Sequence, residues 1–390
     1  MPFAGLSTTT RSAEDCQKSY DLVKTTLMAF LIQNAWTQPN AKTYVSKLLT
    51  EAPEAKQTGK LCVVTGVTIG GSGYEAALEL ALLGGFHVIL LGRNETKLQA
   101  AMQAMEKEAT KRGLDKPVLY ETKFDLDSLE SAKTAADFVS KLANEKYEGK
   151  LHVLLNNAGM VAANPVLTKD GFEANIGRNF MTVHYLTELL LTLLKKAATP
   201  NYKPRIVDAA SIAHIFGVDF DPARFHEKPK QGGAPEGSIL EDAEGVISFS
   251  NEMEGSQFQY GRAKMAVVAA SIYLQTLHPE LCFVALHPGS IASNFGGELG
   301  IAAKIYYYGF YFFQYTPKQG ATAELRPCLD PDFNTAPDLQ GSYFHCDGNP
   351  WVPHAPKSLN PATKEPYTIE EYGKATVEVA DKLIEQALQV

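Results

Sequence analysis

The chain lacks several features that would settle its class at once. Its five cysteines, Cys16, Cys62, Cys282, Cys328 and Cys346, are scattered, with no C-x-x-C and no paired spacing with histidines. That pattern argues against a disulfide framework and a structural zinc site, and it suits a reducing compartment. There is no basic excess: 36 Lys plus Arg stand against 44 Asp plus Glu, a net charge of −8. A mildly acidic chain without a basic block suits neither nucleic acid nor an anionic membrane surface. The apolar run "LMAFLI" is far shorter than the roughly 20 residues of a bilayer span. The opening "MPFAGLSTTTRSAEDC" has no basic-then-apolar leader pattern. No repeat of solenoid period is present. The expectation is a soluble, cytoplasmic protein with no transmembrane segment, no nucleic-acid partner and no bound metal.

What is present is enough apolar sequence for a full core: 45% of 390 residues are hydrophobic, which fits one large domain or two modest ones. Residues 1–11 read as disordered. Apolar positions then recur at Cys16, Tyr20, Val23, Leu27, Phe30 and Leu31 with helical period, and "AKTYVSKLL" reads as a second short helix. Together they form an N-terminal helical extension over 1–58. From residue 59 the pattern changes. "KLCVVTG", "HVILLGR", "PVLYETKFDL", "LHVLLNNAG", "PRIVDAAS" and "LCFVALHPG" read as strands, each followed or separated by a helical stretch. "SYFHCDGNPWVPHAP" reads as a last strand and a loop, and "TVEVADKLIEQAL" as a closing helix. Strands alternating with helices, several of them apolar throughout, predict an α/β fold with a doubly wound parallel sheet covered on both faces.

After the first strand comes "TGVTIGGSGYE", which also opens a helix. In that context glycines let backbone approach a pyrophosphate, and the helix N-terminus supplies free N–H groups and positive dipole. Two registers fit; the longer loop, with Gly66, Gly71 and Gly73, continues better into the helix. The second strand ends in "GRN". Arg93, with no carboxylate before Glu95, favours the 2′-phosphate of NADP(H) over the ribose hydroxyl of NAD.

Further on, "QFQYGRAKMAVVAAS" sets Tyr260 and Lys264 one helical turn apart among small apolar residues. Tyr20 and Lys24 share that spacing, but Tyr20 belongs to an apolar stripe and reads as packing. The ordered set of the glycine turn, "GRN", "FDL" at Asp125, "NNAG" at 156–159, Asn179, "AAS" ending at Ser211, "YGRAK" and "HPG" at 287–289 resembles the short-chain dehydrogenase/reductase family. The pattern is nearest its retinol dehydrogenase-like and WW-domain oxidoreductase-like branch. The resemblance covers roughly 59–390 and implies a Rossmann-type catalytic domain.

The resemblance also implies roles. Tyr260 is the general acid that protonates a carbonyl oxygen as hydride arrives. Lys264 favours the phenolate: a charge pair about 4 Å apart at an effective dielectric of about 20 is worth roughly 4 kcal/mol, or up to about three pKa units. Lys264 also holds the ribose hydroxyls. Ser211 donates a hydrogen bond to the substrate oxygen, and Asn179 fixes a water that connects Lys264 to solvent. The implied cofactor contacts are Gly66, Thr68, Gly71, Ser72 and Gly73 in the turn, with Arg93 and Asn94 after the second strand. Asp125 and Leu126 lie near the adenine, and Asn157, Ala158 and Gly159 against the adenosine side. Tyr260, Lys264, Pro288 and Ile291 lie near the nicotinamide. Family members often pair through the helices bearing Asn179 and Tyr260, so a homodimer is implied.

Two stretches depart from the pattern. About 217–257 is a polar insert rich in Pro and Gly, readable as a substrate lid or as surface decoration. About 292–318, with "KIYYYGFYFFQY", reads as walls for a bulky apolar substrate, as core or subunit contact, or as a membrane-touching surface. The expected activity is NADPH-dependent reduction of a bulky, apolar ketone or aldehyde, in the style of secondary metabolism. A retinol- or steroid-type alcohol dehydrogenase is the rival. A cofactor-binding protein without turnover is the third reading, and its expected sign, a broken catalytic set, is absent.

Overall fold

The computed structural model describes residues 39–162, 166–217, 220–225, 252–291, 314–346 and 350–389, with backbone only at 224 and 252–258. The helix expected around Cys16–Leu31 with Tyr20 and Lys24, most of the 217–257 insert and the aromatic stretch 299–313 lie outside the described residues.

The first six expected strands form where the sequence pattern placed them: β1 Leu61–Thr65, β2 His87–Gly92, β3 Leu119–Lys123, β4 Val153–Asn156, β5 Arg205–Ala209 and β6 Cys282–Leu286. The last stretch yields two strands instead of one, β7 Ser342–Phe344 and β8 Pro350–Trp351. Sheet order is β3-β2-β1-β4-β5-β6-β7-β8, parallel except for the antiparallel β7–β8 pair at the edge. Side chains along β1 alternate between two cores: Leu61 and Val63 face one, Cys62 and Val64 the other. That division follows from the period of two along a strand.

On the second core lie α1 Ala41–Glu51, α2 Ser72–Leu82, α3 Glu95–Lys111 and α7 Pro317–Leu329. On the first lie α4 Leu129–Lys146, α5 Thr182–Ala197, α6 Glu252–Leu277 and α8 Ile369–Leu388. Caps mark several helix starts: Asn94 accepts from the Lys97 amide, Ser128 from the Ser131 amide, and Thr368 with Glu371 forms a capping box. The helix expected through Asn179 is interrupted. Gly177–Met181 form a π-helical turn before α5, a widening that often marks a functional position.

α8 lies along α6, burying Tyr372, Val377, Ala380 and Ile384. It also reaches α5, where His184 Nε2 and Asp381 Oδ1 are 2.8 Å apart. A pair formed through the helices of Asn179 and Tyr260 would have to use whatever α8 leaves uncovered. Among the described residues, no helix is long and apolar enough to cross a membrane.

One buried ion pair ties α2 to the end of α3. Arg112 donates twice to the Glu79 carboxylate, at 2.8 Å each, and once to Glu108 at 2.9 Å; the Glu79 side chain is 2% exposed. Removing one partner leaves the other charge buried and unpaired. Arg112→Ala is therefore expected to lower unfolding free energy by about 3–5 kcal/mol in a urea titration, whereas Lys47→Ala, in an exposed pair with Glu51, should change it little.

Candidate active site

The C-terminal ends of β1, β2 and β4 open into a cavity of about 550 Å³. Its wall contains Gly66, Thr68, Gly71, Ser72, Gly73, Arg93, Asn94, Asp125, Leu126, Asn157, Ala158 and Gly159, so twelve expected cofactor residues share one cleft. The glycine turn follows the longer register: Gly71 is the N-cap of α2 and the helix starts at Ser72. Asn157 braces this turn. Its Nδ2 donates to the carbonyls of Thr65 and Gly66, at 2.9 and 3.4 Å, and its Oδ1 accepts from Ser72 Oγ at 2.9 Å. A Cβ on Gly66 would stand 2.9 Å from Asn157 Nδ2, and one on Gly73 2.2 Å from it. Glycine is required there because the β4 loop presses against the turn. Asn157 thus both braces the turn and stands in the cleft wall.

The rim carries cations. Arg93 follows β2, Lys97 lies in the first turn of α3, and both are exposed and line the cleft; the sequence reading did not single out Lys97. Asn94 is spent partly on its helix cap. Asp125 accepts from Lys169 at 3.0 Å and from the Asp127 amide at 3.2 Å. Burial pushes its carboxyl up, but Lys169, that amide and Arg93 outweigh burial and leave it below the usual range. Arg178, another residue the sequence reading missed, donates to Asp127 at 2.7 Å and lines the same cleft.

Tyr260, Lys264, Pro288, Ile291, Ser211 and Asn179 do not line that cavity. Tyr260 and Lys264 lie on α6 where it passes the end of β5, both under one-tenth exposed, with Lys264 Nζ 5.5 Å from the Tyr260 ring centre. The Lys264 ammonium donates to the Ala209 carbonyl. Burial brings it down to about 8, against the pull of Asp208. Asp208 accepts from Asn156 at 2.8 Å and Ser271 at 2.7 Å; burial raises its carboxyl, and those two donors and Lys264 oppose the rise.

Ser211 stands between β5 and the 3-10 turn Ile212–Gly217. Its Oγ accepts from the Ala213 amide at 3.1 Å, which leaves its own O–H to donate. That turn lies directly on α6: a Cβ on Gly261 would be 2.7 Å from the Ala213 carbonyl, and one on Gly217 2.6 Å from the Gly261 carbonyl. Two glycines therefore let the serine turn and the Tyr260 helix approach backbone to backbone.

Asn179 bonds the backbone after β4. Its Oδ1 accepts from the Met160 amide at 2.9 Å, and its Nδ2 donates to Met160 and Asn175 carbonyls at 2.8 and 2.9 Å. The side chain thereby holds the loop after β4. Ile291 packs on Gly320 of α7 and on Tyr315, so its side chain belongs to the wall behind the "HPG" turn.

Comparison with known proteins agrees with this geometry. The profile of the family described as short chain dehydrogenase matches residues 60–221. An uncharacterized oxidoreductase of Schizosaccharomyces pombe is 32% identical over 295 residues, covering 74% of this chain and 77% of that protein. Retinol dehydrogenase 12 of Mus musculus is 30% identical over 296 residues, covering 75% and 80%. A short chain dehydrogenase structure from Escherichia coli, solved with NADPH, superposes at a TM-score of 0.51 with 19% identity, covering 75% and 98% of the two chains; it speaks for the fold. With that coverage by named relatives, on a parallel sheet whose glycine turn, "NNAG" loop and Tyr-Lys helix stand at their strand ends, the chain belongs to the short-chain dehydrogenase/reductase family, oxidoreductases of alcohol and carbonyl groups, in its retinol dehydrogenase-like branch.

Proposed function

We propose that the protein is an NADPH-dependent reductase of a bulky, apolar ketone or aldehyde. The observation that carries the cofactor half is the cleft rim, where Arg93 and Lys97 face the end of β2 and no carboxylate stands before Glu95. The residues present fit a dinucleotide: Gly66 and Gly73 let the turn close on the Asn157 loop at the cleft, and the first turn of α2 offers amides to a pyrophosphate. Gly71, Ser72 and Gly73 hold the phosphates, Arg93 the 2′-phosphate, and Asp125 and Leu126 flank the base. When bound, the nicotinamide supplies or takes up the hydride.

The chain's own residues then manage one proton and one developing charge. Ser211 donates its O–H to the carbonyl oxygen. Tyr260 gives that oxygen a proton. Lys264, held by the Ala209 carbonyl, keeps a positive charge 5.5 Å from the Tyr260 ring and so favours loss of the phenolic proton. Asn179 acts through the Met160 backbone as a positioning residue. The related retinol dehydrogenase supports a second reading, oxidation of a retinol-like apolar alcohol at the same centre.

Three outcomes test the proposal. With NADPH and a panel of apolar ketones and aldehydes, absorbance loss is expected for wild type and a fall on the order of 10²–10⁴-fold for Tyr260→Phe; turnover undiminished in that variant would remove Tyr260 as the acid, and no turnover in either direction would leave a binding protein. Arg93→Asp should shift the NADPH-over-NADH ratio of kcat/KM by about 10–100-fold toward NADH, the worth of a charged hydrogen bond.

The third outcome concerns pH. Since Lys264 loses its proton at about 8, reduction should be level below that pH and fall about tenfold per unit above it. Stability moves the other way. The folded lysine releases its proton near 8, the unfolded one near about 10.4, so the unfolded state binds more protons between the two. Unfolding free energy should therefore gain a rising component over that window, which Lys264→Met abolishes.

A further inference from the structure

β6 and β7 run side by side with Leu286 opposite Phe344. His287 directly follows β6, and its amide donates to the Phe344 carbonyl at 2.8 Å. His345 and Cys346 directly follow β7. One ligand-type atom from each of these three side chains lies within 4.8 Å of the other two. All are buried: His287 is 4% exposed, His345 0% and Cys346 4%.

A thiol–imidazole hydrogen bond explains part of this cluster, since Cys346 Sγ and His345 Nδ1 are 3.1 Å apart. It does nothing for His287, whose two ring nitrogens are both buried and have no hydrogen-bond partner among the described residues. A buried imidazole with neither nitrogen bonded among the described residues is a group in want of a ligand.

We propose that His287, His345 and Cys346 bind one zinc ion, which ties the end of β6 to the end of β7 where the "HPG" turn begins. Two imidazoles and a thiolate form a borderline-soft set suited to zinc, whereas magnesium and calcium require oxygen donors. Tetrahedral zinc, with Zn–S about 2.3 Å and Zn–N about 2.0 Å, sets its ligand atoms about 3.3–3.6 Å apart. The sulfur and the His345 nitrogen are already near that spacing, and side-chain rotation brings His287 in. Binding displaces the Cys346 thiol proton to solvent, and the thiolate offsets half of the ion's charge. The fourth position falls to an oxygen ligand, and the Tyr315 hydroxyl stands 3.4 Å from the sulfur. The ion is structural: it is bound by the two strand ends that carry the turn, and it takes no part in hydride transfer.

The test uses the full chain without an affinity tag. Mass-spectrometric metal analysis after gel filtration should find about one zinc per chain, and chelation should lower the melting temperature. Cobalt added to the stripped protein should give a thiolate charge-transfer band that Cys346→Ser removes. His287→Ala should weaken zinc binding at least about tenfold against a chromogenic chelator. Zinc-edge X-ray absorption on the wild-type chain needs no variant and should show one sulfur and two imidazoles. Less than about a tenth of an equivalent of zinc with no cobalt band, a band that survives Cys346→Ser, or a zinc shell without sulfur would each overturn the proposal.

Discussion

A buried ammonium is the constraint around which the end of β5 is organised. Lys264 is 3% exposed on a helix that is otherwise apolar where it meets the sheet. An unpaired charge there would be costly, so its neighbours are polar in a graded way. Ala209 offers a carbonyl, Asp208 a carboxylate, and Asn156 and Ser271 hold that carboxylate in turn. Asn156 and Asp208 are register partners on β4 and β5, so correct strand pairing is what assembles the shell. The "NNAG" segment therefore serves two ends of the molecule: Asn156 looks toward Lys264 while Asn157 looks toward the glycine turn.

The strands were legible because parallel strands buried on both faces are apolar throughout, as β6 is and β1 is up to Thr65, and such runs alternate with helical stretches. The residues of the cleft were legible as a group for a related reason, since they sit at strand ends and their order follows the chain. The partners of polar side chains were not legible. Asn157 meets residues more than ninety positions earlier, and Asn179 turns back on Met160. Nothing in local sequence distinguishes an asparagine that faces a ligand from one that closes a loop. The π turn was hidden too, because the apolar pattern runs on through it.

Subunit contact is not legible in the sequence for a physical reason of the same kind. The small residues of α6, among them Ala263, Ala266 and Ala269, signal a close neighbour but not whose. In this chain the sheet takes one side and α8 another. A helix closing on its own domain satisfies the same apolar stripe that a second subunit would.

The short helix α1 has a consequence for where this protein can be cut. Ala41 and Val45 are fully buried in the core shared by α2 and α7, and Thr322 Oγ1 donates to the Pro39 carbonyl at 2.8 Å. A chain begun at the family's usual first strand would uncover a greasy seam on the two helices that flank the dinucleotide cradle and the "HPG" wall. The segment ahead of the first strand thus acts as a keel for both halves of the cleft, and its loss would be felt as aggregation before it was felt as lost chemistry.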